Sequence, residues 1–532
     1  MITVTGGQAI VESLYRQGVR VIFGLPGIQL YDLVDALYDH SAVKFITTRH
    51  EQAAAYMAFG FTQAGGGIGT ALVVPGPGLL NSSAAVGTAF AASSPILIIS
   101  GQVDSDDLAG NRGALHEGDD QLETIRPITK WASRVLDLSD IPEVIGEAFR
   151  HLSMGRPRPV EVEIPRDILA ETDEVEFLDP IVYERQGADE QSIVSAAKLL
   201  ASSDDPVIIA GGGAISSGCS NMLRCVAEHL QAPVFTTPQG KGAMDDRHYL
   251  SMGVPAYGSD PSNELIRASD VVLAVGTRLK GFEHGGIQQV ANINIDQRDM
   301  LHTNVNGVAL VGDASRTLER LMERLVALTP PRAERRGHIT SMSDLIEGYR
   351  KRLEPQGSYV RAIRAAMPDD GIIVEGVTQI GYAASELYPV YEGGRYITSS
   401  YFGNLGFAYP TALGAKVACP DRAVVAVSGD GGFLYNSQEL ATAVQYQIGA
   451  VVVVFNDNAY GNVLRDQVTK YEGRIIGSQL HNPDFIQLSN AYGVAGVRVN
   501  SCGELEDVLR RAIESDEPAL IEVPVGPMPS PW

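Results

Sequence analysis

The sequence predicts an α/β protein with three doubly wound domains, each built on a parallel sheet. Two observations favour this class: short, wholly apolar segments alternate with helical patterns, and the 532 residues exceed what one hydrophobic core usually supports. Strands that are apolar throughout are typical of parallel sheets with helices on both faces. We expect the domains at residues 1–172, 190–328 and 343–532.

The individual elements follow from the same pattern. The apolar runs predict strands in the first domain at 21–23, 45–47, 71–74 and 96–99, in the second at 207–210 and 271–275, and in the third at 372–374, 423–427 and 450–455. Helices are expected to begin near Glu51 and to cover 81–92 and 437–447. An acidic stretch at 171–190 and a Pro-rich, basic stretch at 330–338 are predicted to be linkers.

Composition excludes several classes of partner. The formal net charge of −23 argues against binding nucleic acid, because a polyanion would be repelled. No apolar run is long enough to span a membrane, and the first residues lack a signal-peptide pattern. The four cysteines have neither paired nor metal-ligand spacing, which is typical of a reducing compartment. We expect a cytoplasmic protein without a membrane or nucleic-acid partner.

The strongest local motif is Ser428-Gly429-Asp430-Gly431-Gly432, directly after a predicted strand. Glycines at a strand end let main-chain N–H groups approach phosphate oxygens, and Asp430 adds a hard oxygen ligand for Mg²⁺. Asp457 follows the next strand, 27 positions later. Gly-Asp-Gly alone is equally typical of a tight turn. Parallel strands end at one edge of a sheet, so the two aspartates together predict a magnesium site.

These motifs resemble the thiamine-diphosphate enzymes of the acetolactate synthase, benzoylformate decarboxylase and pyruvate decarboxylase superfamily. The diphosphate motif of that family ends in an Asn-Asn pair, and here Asn456 is followed by Asp457, which keeps an oxygen ligand and adds negative charge. The resemblance implies thiamine diphosphate and Mg²⁺ as cofactors, with Asp430, Asp457 and the main-chain carbonyl of Ala459 as metal ligands. The cofactor contacts implied in the third domain are Thr378, Gln379, Asn404, Leu405, Gly429, Asp430, Gly431, Gly432, Asp457, Ala459, Tyr460 and Gly461.

A second motif, Arg49-His50-Glu51, lies at a strand-to-helix junction in the first domain. An acidic residue in a first helical turn is common for electrostatic reasons alone. The resemblance, however, makes Glu51 the carboxylate that hydrogen-bonds the coenzyme's pyrimidine and drives proton removal from the thiazolium. Gly76 and Asn81 resemble the loop that borders the pyrimidine, and Leu405 the residue that props the coenzyme into a bent shape. The family also implies a homodimer or homotetramer with Glu51 and Asp430 of different subunits in each active site.

The reaction implied by the resemblance is decarboxylation of a 2-oxo acid, carboligation, or both, with pyruvate as a candidate donor. His116 and Glu117 are candidate catalytic residues, because acetohydroxyacid synthases have Phe-Gln there and pyruvate decarboxylases have a His-His pair nearby. An ordinary polar loop would explain His116 equally well. A family tryptophan that selects the acceptor is replaced by Asp466, next to the apolar Val463. Decarboxylation of an aryl or branched 2-oxo acid, or cleavage of an acyloin, diketone or acyl-CoA, therefore remains an alternative.

The central domain is less informative. Some relatives hold FAD or ADP in loops that correspond here to the glycines at 211–213 and to residues 276–278 and 293–296. We favour an empty nucleotide site. Lys241 could attract a substrate carboxylate, but we expect a solvated lysine. A nucleotide-dependent oxidoreductase is the alternative from another class, although the glycines lack a full dinucleotide fingerprint. A non-catalytic relative is disfavoured because Glu51, Asp430 and Asp457 are all present.

Overall fold

The computed structural model describes residues 1–108, 110–256, 260–280, 289–300 and 306–531. Within these residues the chain forms three six-stranded parallel sheets, each flanked by helices. The predicted fold class is confirmed.

The first sheet has the strand order β3-β2-β4-β5-β7-β6, and a separate antiparallel pair joins β1 to β8. The strands are β1 (Ile2–Thr5), β2 (Val21–Gly24), β3 (Lys44–Thr47), β4 (Gly69–Val73), β5 (Ile96–Gln102), β6 (Trp131–Arg134), β7 (Val160–Pro165) and β8 (Thr172–Val175). The helices are α1 (Gly6–Arg16), α2 (Tyr31–Asp39), α3 (Glu51–Gln63), α4 (Pro77–Ala91), α5 (Gln121–Ile125), α6 (Ile141–Ser153) and α7 (Arg166–Ala170). Strand β8 falls inside the segment predicted to be a linker, so that prediction is wrong for its first residues, because they pair with the N-terminal strand.

The central sheet has the order β11-β10-β9-β12-β13-β14. Its strands are β9 (Pro206–Ala210), β10 (Val234–Thr236), β11 (Ser251–Gly253), β12 (Val271–Val275), β13 (Gln289–Asn294) and β14 (Gly307–Val311). The helices are α8 (Glu190–Ser202), α9 (Gly212–Ser216), α10 (Ser220–Leu230), α11 (Pro261–Ala268) and α12 (Ala314–Leu328), followed by α13 (Arg336–Arg350).

The third sheet has the order β16-β15-β17-β18-β20-β19. Its strands are β15 (Ile372–Glu375), β16 (Tyr396–Thr398), β17 (Val424–Gly429), β18 (Val451–Asn456), β19 (Ala495–Arg498) and β20 (Ala519–Pro524). The helices are α14 (Gln356–Ala366), α15 (Gln379–Leu387), α16 (Ala408–Ala418), α17 (Asp430–Phe433), α18 (Leu440–Tyr446), α19 (Gly461–Lys470), α20 (Phe485–Ala491) and α21 (Cys502–Ser515).

The first and third domains share one hydrophobic core, whereas the central domain has its own. The first and third domains contact each other through α3 and α16. A Cβ atom on Gly60 would lie 1.9 Å from the Thr411 carbonyl oxygen, and one on Gly414 would lie 2.0 Å from that of Met57. The two helices therefore pack backbone against backbone, which only residues without a side chain permit.

In the part of the chain that the structure describes, no helix combines the length and the apolar character needed to cross a bilayer.

Candidate active site

The carboxyl ends of β17 and β18 bring two aspartates together. The strands are neighbours, with Gly429 in register with Phe455, so Asp430 and Asp457 follow them at the same edge of the sheet. Asp430 is only 2% exposed, and burial raises its pKa. Burial and the nearby charge of Asp430 raise the pKa of Asp457 to about 6. The two carboxylates are thus close enough to repel each other.

Neutral amides hold these carboxylates. The Asn482 side chain donates to Asp430 Oδ2 at 2.6 Å and to Asn456 Oδ1 at 2.9 Å, and the Ala459 N–H donates to Asp457 Oδ1 at 3.1 Å. Two desolvated carboxylates facing each other are stabilised by a divalent cation, so the donor set fits Mg²⁺. Among the described residues there is no group of three or more His, Cys, Asp or Glu side chains suited to a metal. A site here would need the main-chain ligand expected at Ala459.

Asn482 was not predicted from the sequence as a residue of the metal site. It lies far along the chain from Asp430, and its only local signal is an Asn-Pro turn in a polar segment. That segment also orders the loop after β18: the Tyr460 N–H donates to the Ser478 carbonyl at 2.8 Å, and the Leu480 N–H to that of Asn458 at 2.7 Å. The position of Ala459 is fixed by this pairing, and its role as a metal ligand stays a prediction.

A group of glycines, which we call the glycine cradle, follows the two strands beside the aspartates: Gly429, Gly431, Gly432 and Gly461. A Cβ atom on Gly431 would lie 2.6 Å from the Tyr460 ring, and one on Gly461 would lie 2.5 Å from Asp457 Oδ2. Thr378 and Gln379, at the start of α15, reach the same place: their side chains lie 3.5 Å from the Cβ positions of Gly429 and Gly461, respectively. A side chain at Gly431 or Gly461 would therefore clash with Tyr460 or Asp457, so glycine keeps the main chain of the predicted diphosphate contacts close to these two residues.

The segment before α16 borders this cradle. Leu405 Cδ2 lies 3.9 Å from the Cβ position of Gly432. The Asn404 amide donates to the Tyr56 hydroxyl at 2.9 Å and to the Ala84 carbonyl at 2.8 Å, which ties the segment to α3 and α4. Leu405 is thus held beside the glycines, while the amide of Asn404 is used in protein contacts. Their contacts with a coenzyme stay predictions.

Glu51 is the first residue of α3, capped by His50. Asn81 Nδ2 donates to Glu51 Oε2 at 3.0 Å, and the Cβ position of Gly78 lies 3.6 Å from Glu51 Oε1. The two first-domain motifs, distant in sequence, therefore meet at one carboxylate. No hydrogen bond among the described residues joins Glu51 to Asp430 within one chain.

The turn that carries Glu51 is fixed by a residue that sequence reasoning missed. Both carboxylate oxygens of Glu439 accept from the Arg49 N–H, at 3.1 and 3.2 Å, and Thr442 donates to Oε2 at 2.6 Å. Glu439 is completely buried, and this burial raises its pKa to about 7. An acidic residue next to an apolar helix segment was the available signal. Glu439 positions the start of α3.

Gly76 has a conformation that requires glycine, with φ 57° and ψ −108°. A Cβ atom there would lie 2.6 Å from the carbonyl oxygen of His116, and the Gly76 N–H donates to Gln121 Oε1 at 2.8 Å. The His116 ring lies 3.2 Å from Gln29 Oε1 through Nδ1. His116 thus packs on the predicted pyrimidine loop, and its catalytic role stays a prediction.

Glu117 orders its own loop. Its carboxylate accepts main-chain N–H groups of Arg112, Gly113 and Ala114 at 3.1, 2.6 and 2.9 Å. These bonds, the one from Ala114 first, lower the pKa of Glu117. The observed contacts give it a structural task, and the predicted catalytic role is untested.

Helix α19 follows the metal loop and carries the predicted substrate-side positions. Val463 is 52% exposed, and Asp466 pairs with Lys470 at 2.9 Å. None of the ten residues of the helix is buried in the single chain.

The central domain corrects one expectation. Lys241 is only 3% exposed, so the prediction of a solvated lysine is wrong. Its Nζ donates to the Ser385 carbonyl at 3.2 Å and lies 5.3 Å from the Tyr396 ring centroid, because the third domain covers it. Lys241 therefore supports a domain contact.

The loops considered for a nucleotide lie at the ends of central strands. The Gly211 and Gly213 N–H groups donate to the carbonyls of Val275 and Gly276, at 2.9 and 3.0 Å. Ile295 and Asp296 help to line a cavity of about 350 Å³ between the first two domains. The other residues that line it are Lys130, Arg150, His151, Met154, Gly155, Arg156, Arg158, Gln297 and Arg298. The preference for an empty nucleotide site stays a prediction.

Comparison with known proteins gives matches along the whole chain. Three family models match: the N-terminal TPP binding domain of thiamine pyrophosphate enzymes at residues 4–124, their central domain at 193–321 and their C-terminal TPP binding domain at 376–523. A probable acetolactate synthase large subunit of Methanocaldococcus jannaschii is 35% identical over 98% of this chain and 92% of its own length. A probable 2-ketoarginine decarboxylase of Pseudomonas aeruginosa is 33% identical (98% and 94%), and the acetolactate synthase isozyme 3 large subunit of Escherichia coli is 32% identical (96% and 92%).

Proposed function

Because the chain belongs to the family of thiamine pyrophosphate enzymes, we propose that it uses thiamine diphosphate and Mg²⁺ to decarboxylate a 2-oxo acid and to protonate or ligate the remaining fragment. Pyruvate is the first candidate donor. The observation that carries the proposal is the pair of aspartates at the ends of β17 and β18, one buried and one half-buried, beside the glycine cradle. The Glu51–Asn81 contact in the first domain supports it independently.

Each half of the site has its own task in this proposal. Asp430, Asp457 and the Ala459 carbonyl would hold the metal, and the glycine cradle would take the diphosphate. Glu51, oriented by Asn81, would hold a proton at the pyrimidine ring. Bound thiamine diphosphate would supply an electron sink for the electron pair of the bond to the departing carboxylate. The chain's side chains would orient the substrate and limit its contact with water.

We further propose that the complete site forms between two copies of the chain, in a homodimer or homotetramer in the cytoplasm. Exposed apolar side chains support this, because in the sequence they are close to residues of both halves of the site. Leu80 precedes Asn81, and Tyr435 and Val463 follow Asp430 and Asp457 by five and six positions; they are 55%, 49% and 52% exposed. Apolar surface of this kind, together with the uncovered helix α19, is typical of a subunit interface.

The second candidate is simple decarboxylation of another 2-oxo acid, aryl or branched, without ligation. The similarity to a probable 2-ketoarginine decarboxylase favours it, as do His116 and Asp466 where acetolactate synthases carry other residues. Cleavage of an acyloin, diketone or acyl-CoA is a third possibility that the same site chemistry supports.

The test supplies purified protein with thiamine diphosphate, Mg²⁺ and a panel of 2-oxo acids, and measures released CO₂ together with aldehyde and ligation products by NMR. Acyloin or 2-hydroxy-2-alkyl acid products would identify a carboligase, and aldehyde alone a decarboxylase. Failure of the protein to bind the coenzyme, with no CO₂ from any acid, would contradict the proposal. Coenzyme binding without CO₂ would favour the lyase alternative.

A further inference from the structure

Three side chains form a closed hydrogen-bonded group at the first turns of α19. Arg465 donates to Gln379 Oε1 at 2.9 Å and to Asn462 Oδ1 at 2.6 Å, and Gln379 Nε2 also donates to Asn462 Oδ1 at 2.6 Å. Arg465 and Asn462 lie one helical turn apart, so they share a face of the helix. The group fixes the guanidinium against α15, on the side where the predicted diphosphate contacts lie.

Gly461 connects this group with the metal site. The Cβ position of Gly461 lies 2.5 Å from Asp457 Oδ2 and 3.5 Å from Gln379 Nε2. The Gln379 amide, which accepts from Arg465, therefore lies on the same side of the Gly461 main chain as the Asp457 carboxylate. Thr378, the preceding residue, approaches Gly429 on the other side of the cradle. A single side chain, that of Gln379, thus separates Arg465 from the space that would take the phosphates.

The negative charges of the proposed site are the reason why a cation at this position would favour coenzyme binding. Asp457 is a second carboxylate next to Asp430, so two carboxylates and a diphosphate would share one divalent ion. An arginine stays protonated at any physiological pH. A charge within a Debye length of the diphosphate, about 10 Å at 0.1 M salt, still attracts it.

We propose that Arg465 is an electrostatic binding residue for the coenzyme diphosphate, held in place by Gln379 and Asn462. This inference rests on the proposed function, since it needs thiamine diphosphate and Mg²⁺ in the cradle.

The test is titration calorimetry with three probes: thiamine diphosphate with Mg²⁺, inorganic pyrophosphate with Mg²⁺, and thiamine. Arg465→Gln removes the charge and keeps two amide hydrogen-bonding groups. We expect it to raise the Kd of both phosphate probes on the order of tenfold at low salt, with a smaller effect at high salt, and to leave thiamine binding unchanged. Arg465→Lys should recover part of the affinity. Lys470→Gln is the matched control, because it removes the same charge from the exposed end of the same helix and should change nothing.

Unchanged Kd values for both phosphate probes in Arg465→Gln would overturn the inference, as would an equal loss for thiamine or a change confined to the KM of the oxo acid. Wild-type protein that binds no thiamine diphosphate would overturn the proposed function as well. Melting temperatures of all variants would identify any loss of affinity that follows from misfolding.

Discussion

The hydrogen bond between Asn81 and Glu51 sets the size of one effect on catalysis. A hydrogen bond to a charged group contributes about 1.5–3 kcal/mol. Asn81 is exposed in the single chain, so we take the lower value, which corresponds to about a tenfold loss of kcat/KM in Asn81→Ala. Glu51→Gln removes the acid itself and should cost about 10²- to 10⁴-fold, while coenzyme binding persists.

The assay is the rate of CO₂ release from the best oxo acid, with coenzyme affinity measured in parallel. Because the proposed role of Asn81 is to orient Glu51, adding Asn81→Ala to Glu51→Gln should cause no further loss. Ser83→Ala is the control: it is on the same helix, and its hydroxyl bonds the Leu80 carbonyl at 2.6 Å. A full tenfold loss in the Glu51→Gln background, or near-normal activity of Glu51→Gln, would refute the reasoning.

Two further predictions concern the third domain. Asp430→Ala should abolish Mg²⁺-dependent binding of thiamine diphosphate in calorimetry, because it removes a buried residue of the proposed metal site. The variant Asp421→Ala, at an exposed position, should bind normally, and unchanged affinity of Asp430→Ala would contradict the metal assignment. Burial raises the pKa of Glu375 from its ordinary 4.5 to about 8, so its contribution to stability is complete below about pH 4.5 and is lost as the pH rises through about 8. The melting temperature of the wild type should therefore fall relative to Glu375→Gln across this range, and parallel melting curves at all pH values would contradict it.

Much of the architecture could be predicted because buried parallel strands are apolar throughout. β17 and β18 are examples, and their adjacency was enough to bring Asp430 next to Asp457. The contacts that complete the site could not be predicted in this way. Asn482 reaches Asp430 from a loop 52 positions away, which no local periodicity encodes.

Lys241 shows a different limit on what can be predicted from the sequence. A lysine between glycines suggests a solvated turn, because isolated ammonium groups are costly to bury. The third domain covers it and supplies the Ser385 carbonyl as an acceptor, and this domain packing leaves no trace in the local sequence. Glu439 was missed for the same reason, since its partner is the main-chain N–H of Arg49 in another domain.

The contact between α3 and α16 limits how the first and third domains can move relative to each other. Gly60 and Gly414 let the backbones of the two helices touch. The helices therefore cannot slide or separate without disrupting the hydrophobic core that the two domains share. We therefore expect the first and third domains of one chain to move together. We expect the movements that admit a ligand to the proposed site to occur instead in the connecting segments at the strand ends, such as the one that carries His116.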